Sequence, residues 1–159
     1  MVTGPDFFRE LKRGEEDQVR ALLLDAFARP NEADLVEQLR KSRAIAGEMV
    51  LPADGRIVGY AALSTMVSPK GWLCLAPVAI HPEFQGRRNG KRMVGMITSW
   101  AQATGQTLVV QGHRDFFARC GFGPIADGFT SPYPLEETMI AGPAKAKVTN
   151  LTYPKAFGT

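Results

Sequence analysis

Between positions 78 and 91 the chain reads VAIHPEFQGRRNGK, a short apolar run followed by a turn of glycine, amide and cationic side chains. Gly86 and Gly90 let the backbone approach a ligand closely. A helix beginning here would offer its first N–H groups, and the positive end of its dipole, to an anion. Gln85, Arg87, Arg88, Asn89 and Lys91 surround those glycines with donors and positive charge. A pyrophosphate is the natural occupant. The spacing is not that of a P-loop, which needs four residues between its glycines and a Ser or Thr after the lysine; here three residues separate Gly86 from Gly90, and Arg92 follows Lys91. The glycine triplet of a dinucleotide fingerprint is absent too. From the loop alone, an anion site and a solvated basic face stand level.

Other residues could do chemistry. His113 follows the apolar run TLVVQG and could relay a proton, or simply begin a short helix. Cys74 sits among Leu73 and Leu75 and reads as core; Cys120, before Gly121 and Phe122, reads as a packed small hydrophobe. His81, beside Pro82, reads as positional. Glu32, Asp34 and Glu37 form either a solvated helix face or a receiving surface for a cationic amine. Phe129 and Tyr133 are candidate walls of such a surface, whereas Tyr60, Trp72 and Trp100 read as core or sheet-face residues. Two distant histidines and scattered cysteines give no metal-ligand spacing, so no metal is expected.

The elements that must position these residues follow from periodicity. FFREL reads as a first strand. GEEDQVRALLLDAFA places Val19, Leu22, Leu23 and Phe27 at helical spacing, and EADLVEQLRKS places Leu35, Val36 and Leu39 on one face of a second helix. AIAGEMVL and RIVGYAALSTMV are strands joined through PADG, an Asp-Gly hairpin signal. GWLCLAPVAI is a further strand in which Pro77 marks an edge, a bulge or an opening, because proline cannot donate a ladder hydrogen bond. GKRMVGMITSWAQAT carries Met93, Val94, Ile97 and Trp100 as a helical stripe ended by Gly105. TLVVQ is a short strand buried on both faces, RDFFARCGF a short helix, and TMIAG a last strand. The fold class is a mixed α+β domain with a partly parallel sheet.

At 159 residues the chain reads as one domain over 1–159. Nineteen Lys and Arg against 16 Asp and Glu leave a net charge of +3, which suits an anionic small ligand and is too small to argue for nucleic acid. The opening segment has no leader pattern, no run is long and apolar enough for a bilayer, and two cysteines are too few for a disulfide framework, so the expected compartment is the cytoplasm. Monomer and homodimer are both compatible with the sequence.

Taken together, VAIHPEFQGRRNGKRM resembles the acyl-CoA-binding segment of GNAT-superfamily N-acetyltransferases, written Gln or Arg, two residues, Gly, one residue, Gly or Ala. Gln85 and Gly90 match its ends, and Arg88 replaces its inner glycine. FFARCGF is similar to the signature that follows, and LAPVAIHP, SPYP, YPKAFG and EADLVEQLR are similar to the YhbS-like branch of small bacterial members. The resemblance implies a GNAT fold whose sheet splays into a V, with the backbone of Val78, Ala79 and Ile80 holding a pantetheine arm. It places the N–H groups from Gly86 through Arg87, Arg88, Asn89 and Gly90 to Lys91 on the pyrophosphate, with Gln85 closing the turn. Acetyl-CoA is then the cosubstrate, and a small-molecule amine or a protein amino group the acceptor, attacked directly with an oxyanion donor near Ala79. Where many members place a proton-donating tyrosine beside the cofactor, this chain has Phe117. That departure, with Arg88, leaves a non-catalytic acyl-CoA-binding domain as the alternative.

Overall fold

The computed structural model describes residues 7–144 and 146–159; the first six residues, part of the segment read as lacking a leader, and residue 145 lie outside the described residues. Seven strands form one sheet: β1 (Arg9–Glu10), β2 (Ile45–Ala53), β3 (Arg56–Thr65), β4 (Trp72–Ile80), β5 (Thr107–Gln111), β6 (Gly123–Pro124) and β7 (Thr138–Ala141). Their spatial order is β1-β2-β3-β4-β5-β7-β6. Every neighbouring pair is antiparallel except β4 and β5, which run parallel. Four helices complete the order: α1 (Glu16–Phe27), α2 (Asn31–Lys41), α3 (Asn89–Thr104) and α4 (Arg114–Ala118). This is the mixed, largely antiparallel architecture expected from the pattern. Among the described residues no helix is long and apolar enough to cross a membrane.

The hairpin between β2 and β3 follows from two residues. Asp54 and Gly55 both take positive φ, 51° and 77°, the backbone of a type I′ turn whose twist matches the strands it joins. On one face of the sheet, Val19, Leu22 and Leu23 of α1 and Val36 of α2 pack on Val50, Tyr60, Ala62 and Ala79. On the other, Met93, Val94 and Ile97 of α3 pack on Ala61, Leu73, Leu75, Leu108 and Val110. Each fully buried leucine or valine contributes about 1.5–3 kcal/mol. A third cluster, around Trp72, Cys74, Val109 and Ile140, is covered by Phe129, Leu151 and Tyr153 from the last part of the chain.

Two expected faces are corrected. In α2 the inward positions are Ala33, Val36 and Leu39, while Leu35 is half-buried, because the helix meets the sheet through its smaller side. Trp100 is 45% exposed rather than core. It borders a shallow cavity over the sheet with Glu10, Gly47, Met49 and Leu63, and Ala101 takes the inward place.

An ionic network ties the first layer together. Glu48 on β2 accepts the Tyr60 hydroxyl at 2.5 Å and Arg40 Nη2 and Nε at 2.7 and 3.0 Å, all through Oε1. Burial, then the carboxylate, push the Tyr60 phenol well above its usual range, so it remains a donor.

At the sheet's edge Arg9 forks onto both carboxylate oxygens of Glu15 at 2.8 Å. The Arg9 guanidinium holds the Glu15 carboxyl down at about 2 from an ordinary 4.5. Its folded-state value is depressed, so the pair's stabilisation is complete above the ordinary value and disappears as the pH falls through about 2. Glu15→Gln should therefore melt below wild type at neutral pH and match it in strong acid; a parallel offset at every pH would contradict the assignment.

Candidate active site

The parallel pairing of β4 and β5 covers Trp72 to Cys74 against Thr107 to Val109 and then stops. Beyond Cys74, β4 continues to Ile80 against β3 only, while β5 continues against β7. The register of β3 on β4 shifts between Ala61 and Leu63, which leaves Ala76 and Pro77 as the bulge opposite Ala62. Proline sits at a bulge because it has no N–H for the ladder, and bulges re-aim the strand that follows. The two strands thus part at the bulge, and the gap opens into a cavity of about 790 Å³.

The cavity gathers most of the residues singled out in the sequence: Val78, Ile80, Gln85, Gly86, Arg88, Asn89, Gly90, Lys91, His113 and Phe117 all line it. Phe84, Phe116 and Arg119 line it as well and had no sequence signal beyond the aromatic pair of FFAR. Three cations and no carboxylate stand on its wall, so its field favours an anion. Gln85 Nε2 donates to the Ile80 carbonyl at 2.9 Å and closes the turn, and the buried Asn89 amide donates to the Phe84 carbonyl at 3.0 Å. The first backbone bond of α3 is Arg92 N–H to the Arg88 carbonyl, so the N–H groups of Asn89, Gly90 and Lys91 have no partner within the helix. Gly90 leaves this face open: a Cβ there would meet Phe116 Cζ at 3.4 Å and Ile80 Cγ1 at 3.6 Å.

Two of the expected residues do not line the cavity. The Arg87 guanidinium lies over the Phe84 ring, 5.4 Å from its centroid. Ala79 is buried on the opposite face, and its N–H does not point at the gap. His81 N–H donates to the Val58 carbonyl at 2.7 Å. Polar groups alternate along an antiparallel strand, so Ala79, opposite Tyr60, shares that orientation towards β3. Val78 and Ile80 have the other parity and direct their backbone groups into the gap. An N–H of this strand that faces the gap therefore belongs to Val78 or Ile80, not to Ala79.

The remaining candidates are placed as follows. Phe117 is buried between Phe116 and Phe122, with ring centroids 5.1 and 5.4 Å away, and brings no hydroxyl to the cavity. His113 takes φ 47°, a left-handed backbone at the start of α4, and contributes the cavity's imidazole. His81 Nδ1 accepts the Glu83 N–H at 3.2 Å and Nε2 faces Asp25 at 3.5 Å, which makes it a fastener of the loop. Cys74 is buried and free, its thiol pushed up to about 12 by burial, and burial raises Cys120 as well. Neither thiol lines the cavity. Arg88 holds φ 61°, the conformation the motif's glycine would adopt at little cost, against about 1–2 kcal/mol for a residue with a Cβ. Among the described residues no three His, Cys, Asp or Glu side chains are grouped as metal ligands.

On the outer side of α2, a groove of about 720 Å³ lies between Glu32, Asp34 and Leu35 and the C-terminal Tyr133, Lys155 and Phe157. Glu32 is paired with Arg29 at 2.5 Å, and Asp34 and Glu37 with Arg20 at 3.3 and 2.9 Å. Phe129 does not wall this groove; it packs on Trp72 in the core, centroids 5.6 Å apart.

Comparison with known proteins bears on this geometry. The profile described as the acetyltransferase (GNAT) family matches residues 15–122. The chain belongs to that family. An uncharacterized N-acetyltransferase of Escherichia coli strain K12, YjhQ, is 32% identical to this acetyltransferase over 141 residues, 82% of this chain and 77% of its own. Among solved structures, the GNAT-family N-acetyltransferase YhbS from Escherichia coli, in complex with CoA, matches with a TM-score of 0.87 at 23% identity, covering 100% of this chain and 97% of that one. A GNAT-family acetyltransferase from Brucella melitensis, in complex with acetyl-CoA, matches at 0.79 and 22%, covering 95% and 97%. At such identities the likeness is one of fold.

Proposed function

We propose that this GNAT acetyltransferase takes its acetyl group from acetyl-CoA held in the gap between β4 and β5 and passes it to an amine by direct attack within a ternary complex. The observation that carries this reading is the parting of the two strands after Cys74, with the unpartnered amides of Asn89 to Lys91 at one end of the resulting cavity. The pyrophosphate would lie on those amides, and the pantetheine arm along Val78 and Ile80, whose backbone groups have no strand to pair with on that side. That two solved relatives of the same fold hold CoA and acetyl-CoA supports the assignment.

The chemistry follows from what the cavity offers. The acceptor nitrogen must be neutral to attack, although a lysine-type amine is protonated up to about pH 10.4. Its lone pair forms the C–N bond, the thioester C–S bond breaks, and the sulfur leaves as a thiolate that takes up a proton. Val78 N–H is placed to stabilise the oxyanion between the two events. With phenylalanine at 117, His113 is the proton-handling side chain on the wall. His113→Asn keeps a residue that tolerates the left-handed backbone, so the fold should persist while turnover falls by about 10²-fold, the lower end of general acid–base assistance. Unchanged turnover would leave the proton to water.

The acceptor is an amine of a small molecule or of a protein. The groove beside α2, with Glu32 and Asp34 on one wall and Tyr133 on the other, is the surface on which a cationic amine would be received. Release of free thiol from acetyl-CoA, followed across a panel of polyamines, amino acids, aminoglycosides and peptides, tests the whole reading. Acceptor-dependent release is expected. CoA binding without turnover on any amine would overturn it.

A further inference from the structure

We propose that the open face of α3 is the contact surface of a homodimer, in which a two-fold axis beside Met96 sets Arg92 of each copy against Trp100 and Glu10 of the other.

Among the described residues six large apolar side chains are exposed, and three of them belong to this one face: Phe7 at 91%, Met96 at 47% and Trp100 at 45%. A groove of about 990 Å³ runs between α3 and the segment leading into β1, lined by Phe7, Phe8, Leu51, Arg92, Gly95 and Met96. One turn further along α3, Trp100 borders the cavity of about 230 Å³ that it shares with Glu10, Met49 and Leu63. Single exposed apolar side chains need no explanation, whereas a group of them beside two hollows marks an association surface. Gly95 adds to this. A glycine inside a helix destabilises it relative to alanine, and a Cβ at this one would meet nothing within 4 Å, so no packing among the described residues calls for it. It leaves the backbone bare beside Met96, where another helix can approach.

Charge says which partner fits. Arg92 precedes Met96 by four residues and Trp100 follows it by four, about 6 Å along the axis in each direction. Glu10 pairs with Met49 across β1 and β2, and Met49 packs on the α3 side of the sheet, so the Glu10 carboxylate belongs to the same face as Trp100. Neither that carboxylate nor the Arg92 guanidinium has a hydrogen-bond or ion-pair partner among the described residues. The face therefore carries an unsatisfied cation at one end and, at the other, an unsatisfied anion beside an open indole. When two α3 helices pack antiparallel about a two-fold axis at Met96, residue 92 of one comes level with residue 100 of the other. Each guanidinium then lies against the opposite indole and carboxylate, a cation–π contact and an ion pair made twice per dimer. A partner of uniform charge would satisfy one end of the face and be repelled at the other. A second copy satisfies both.

Sedimentation velocity of the full chain, from low to high micromolar concentration, tests this together with three variants. The wild-type mass should rise from monomer to dimer. The emission of Trp100 should move to shorter wavelength as its indole is covered, Trp72 being buried in both states. Arg92→Glu should raise the dissociation constant roughly tenfold or more, because reversal replaces two attractions with two repulsions. Adding Glu10→Arg to it should bring the constant back to within about threefold of wild type, which a merely damaged fold would not do. Gly95→Gln, a better helix former, should melt no lower than wild type at a dilution where both are monomeric, yet stay monomeric where the wild type pairs. A monomeric wild type at every concentration would overturn the proposal and leave the face to a different protein or to none. So would a double variant as weak as Arg92→Glu alone, or a Gly95→Gln dimer as tight as wild type.

Discussion

Val78→Pro should lower acetyl transfer by about 10²–10³-fold, the loss associated with one oxyanion donor, in a protein that still folds. Proline removes a single N–H, and at this position that N–H faces the gap rather than β3, as the His81–Val58 bond and the register fix. The sheet loses no rung. Residue 77 is already a proline in extended backbone, the conformation a following proline requires. The same change at Ala79 removes a ladder bond to Tyr60 and should unfold the strand. Paired kcat and urea midpoints for the two variants separate the effects. Comparable destabilisation of both, or full activity in Val78→Pro, would show that the parity is wrong and that the donor lies elsewhere.

Glu48→Ala should be among the most destabilising single changes in the protein, by about 3 kcal/mol, because it strands Arg40 and the Tyr60 hydroxyl with no acceptor. The value is set at the low end for a broken buried pair, since the Arg40 and Glu48 side chains retain 22% and 13% of their exposure. Glu48→Gln keeps a neutral acceptor and should lose less. Urea unfolding at constant m-value reads both. A loss within 1 kcal/mol for the alanine variant would mean that water satisfies Arg40 as well as the carboxylate does. Tyr60 lies opposite Ala79, so the network also holds the stretch of β3 that pairs with the end of β4.

Much of this was legible in the sequence, where a residue type has one structural use. Asp54-Gly55 demanded a tight hairpin, Gly105 ended α3 with φ 72°, and Pro77 marked a bulge and an opening. The cavity's basic wall was legible only in part, since glycines and cations in one turn suit an anion site and a solvated basic face equally. Properties that depend on counting across strands were not legible. Which of Val78, Ala79 and Ile80 faces the gap is decided by the register after the bulge, and no local pattern carries that parity. Trp100 obeyed helical spacing yet is 45% exposed beside a shallow cavity, because periodicity gives a face and not how closely that face is packed. Arg87 and Arg88 are adjacent and alike in type, yet the Arg87 guanidinium lies over Phe84 while Arg88 is on the cavity wall. The Arg40, Glu48 and Tyr60 network spans three elements. Its one sequence trace was an acid inside the apolar run AIAGEMVL.

Among the described residues, the three parallel rungs between β4 and β5 are the only ladder that joins the two halves of the sheet. Past them, the Val78 peptide groups and the Ile80 N–H have no strand to pair with on the gap side, while the Ile80 carbonyl is held by Gln85. An amide-bearing guest lying there would act as a surrogate strand, so that cosubstrate occupancy and the cohesion of the protein become one thermodynamic quantity, and apparent stability rises with the concentration of the thioester it consumes.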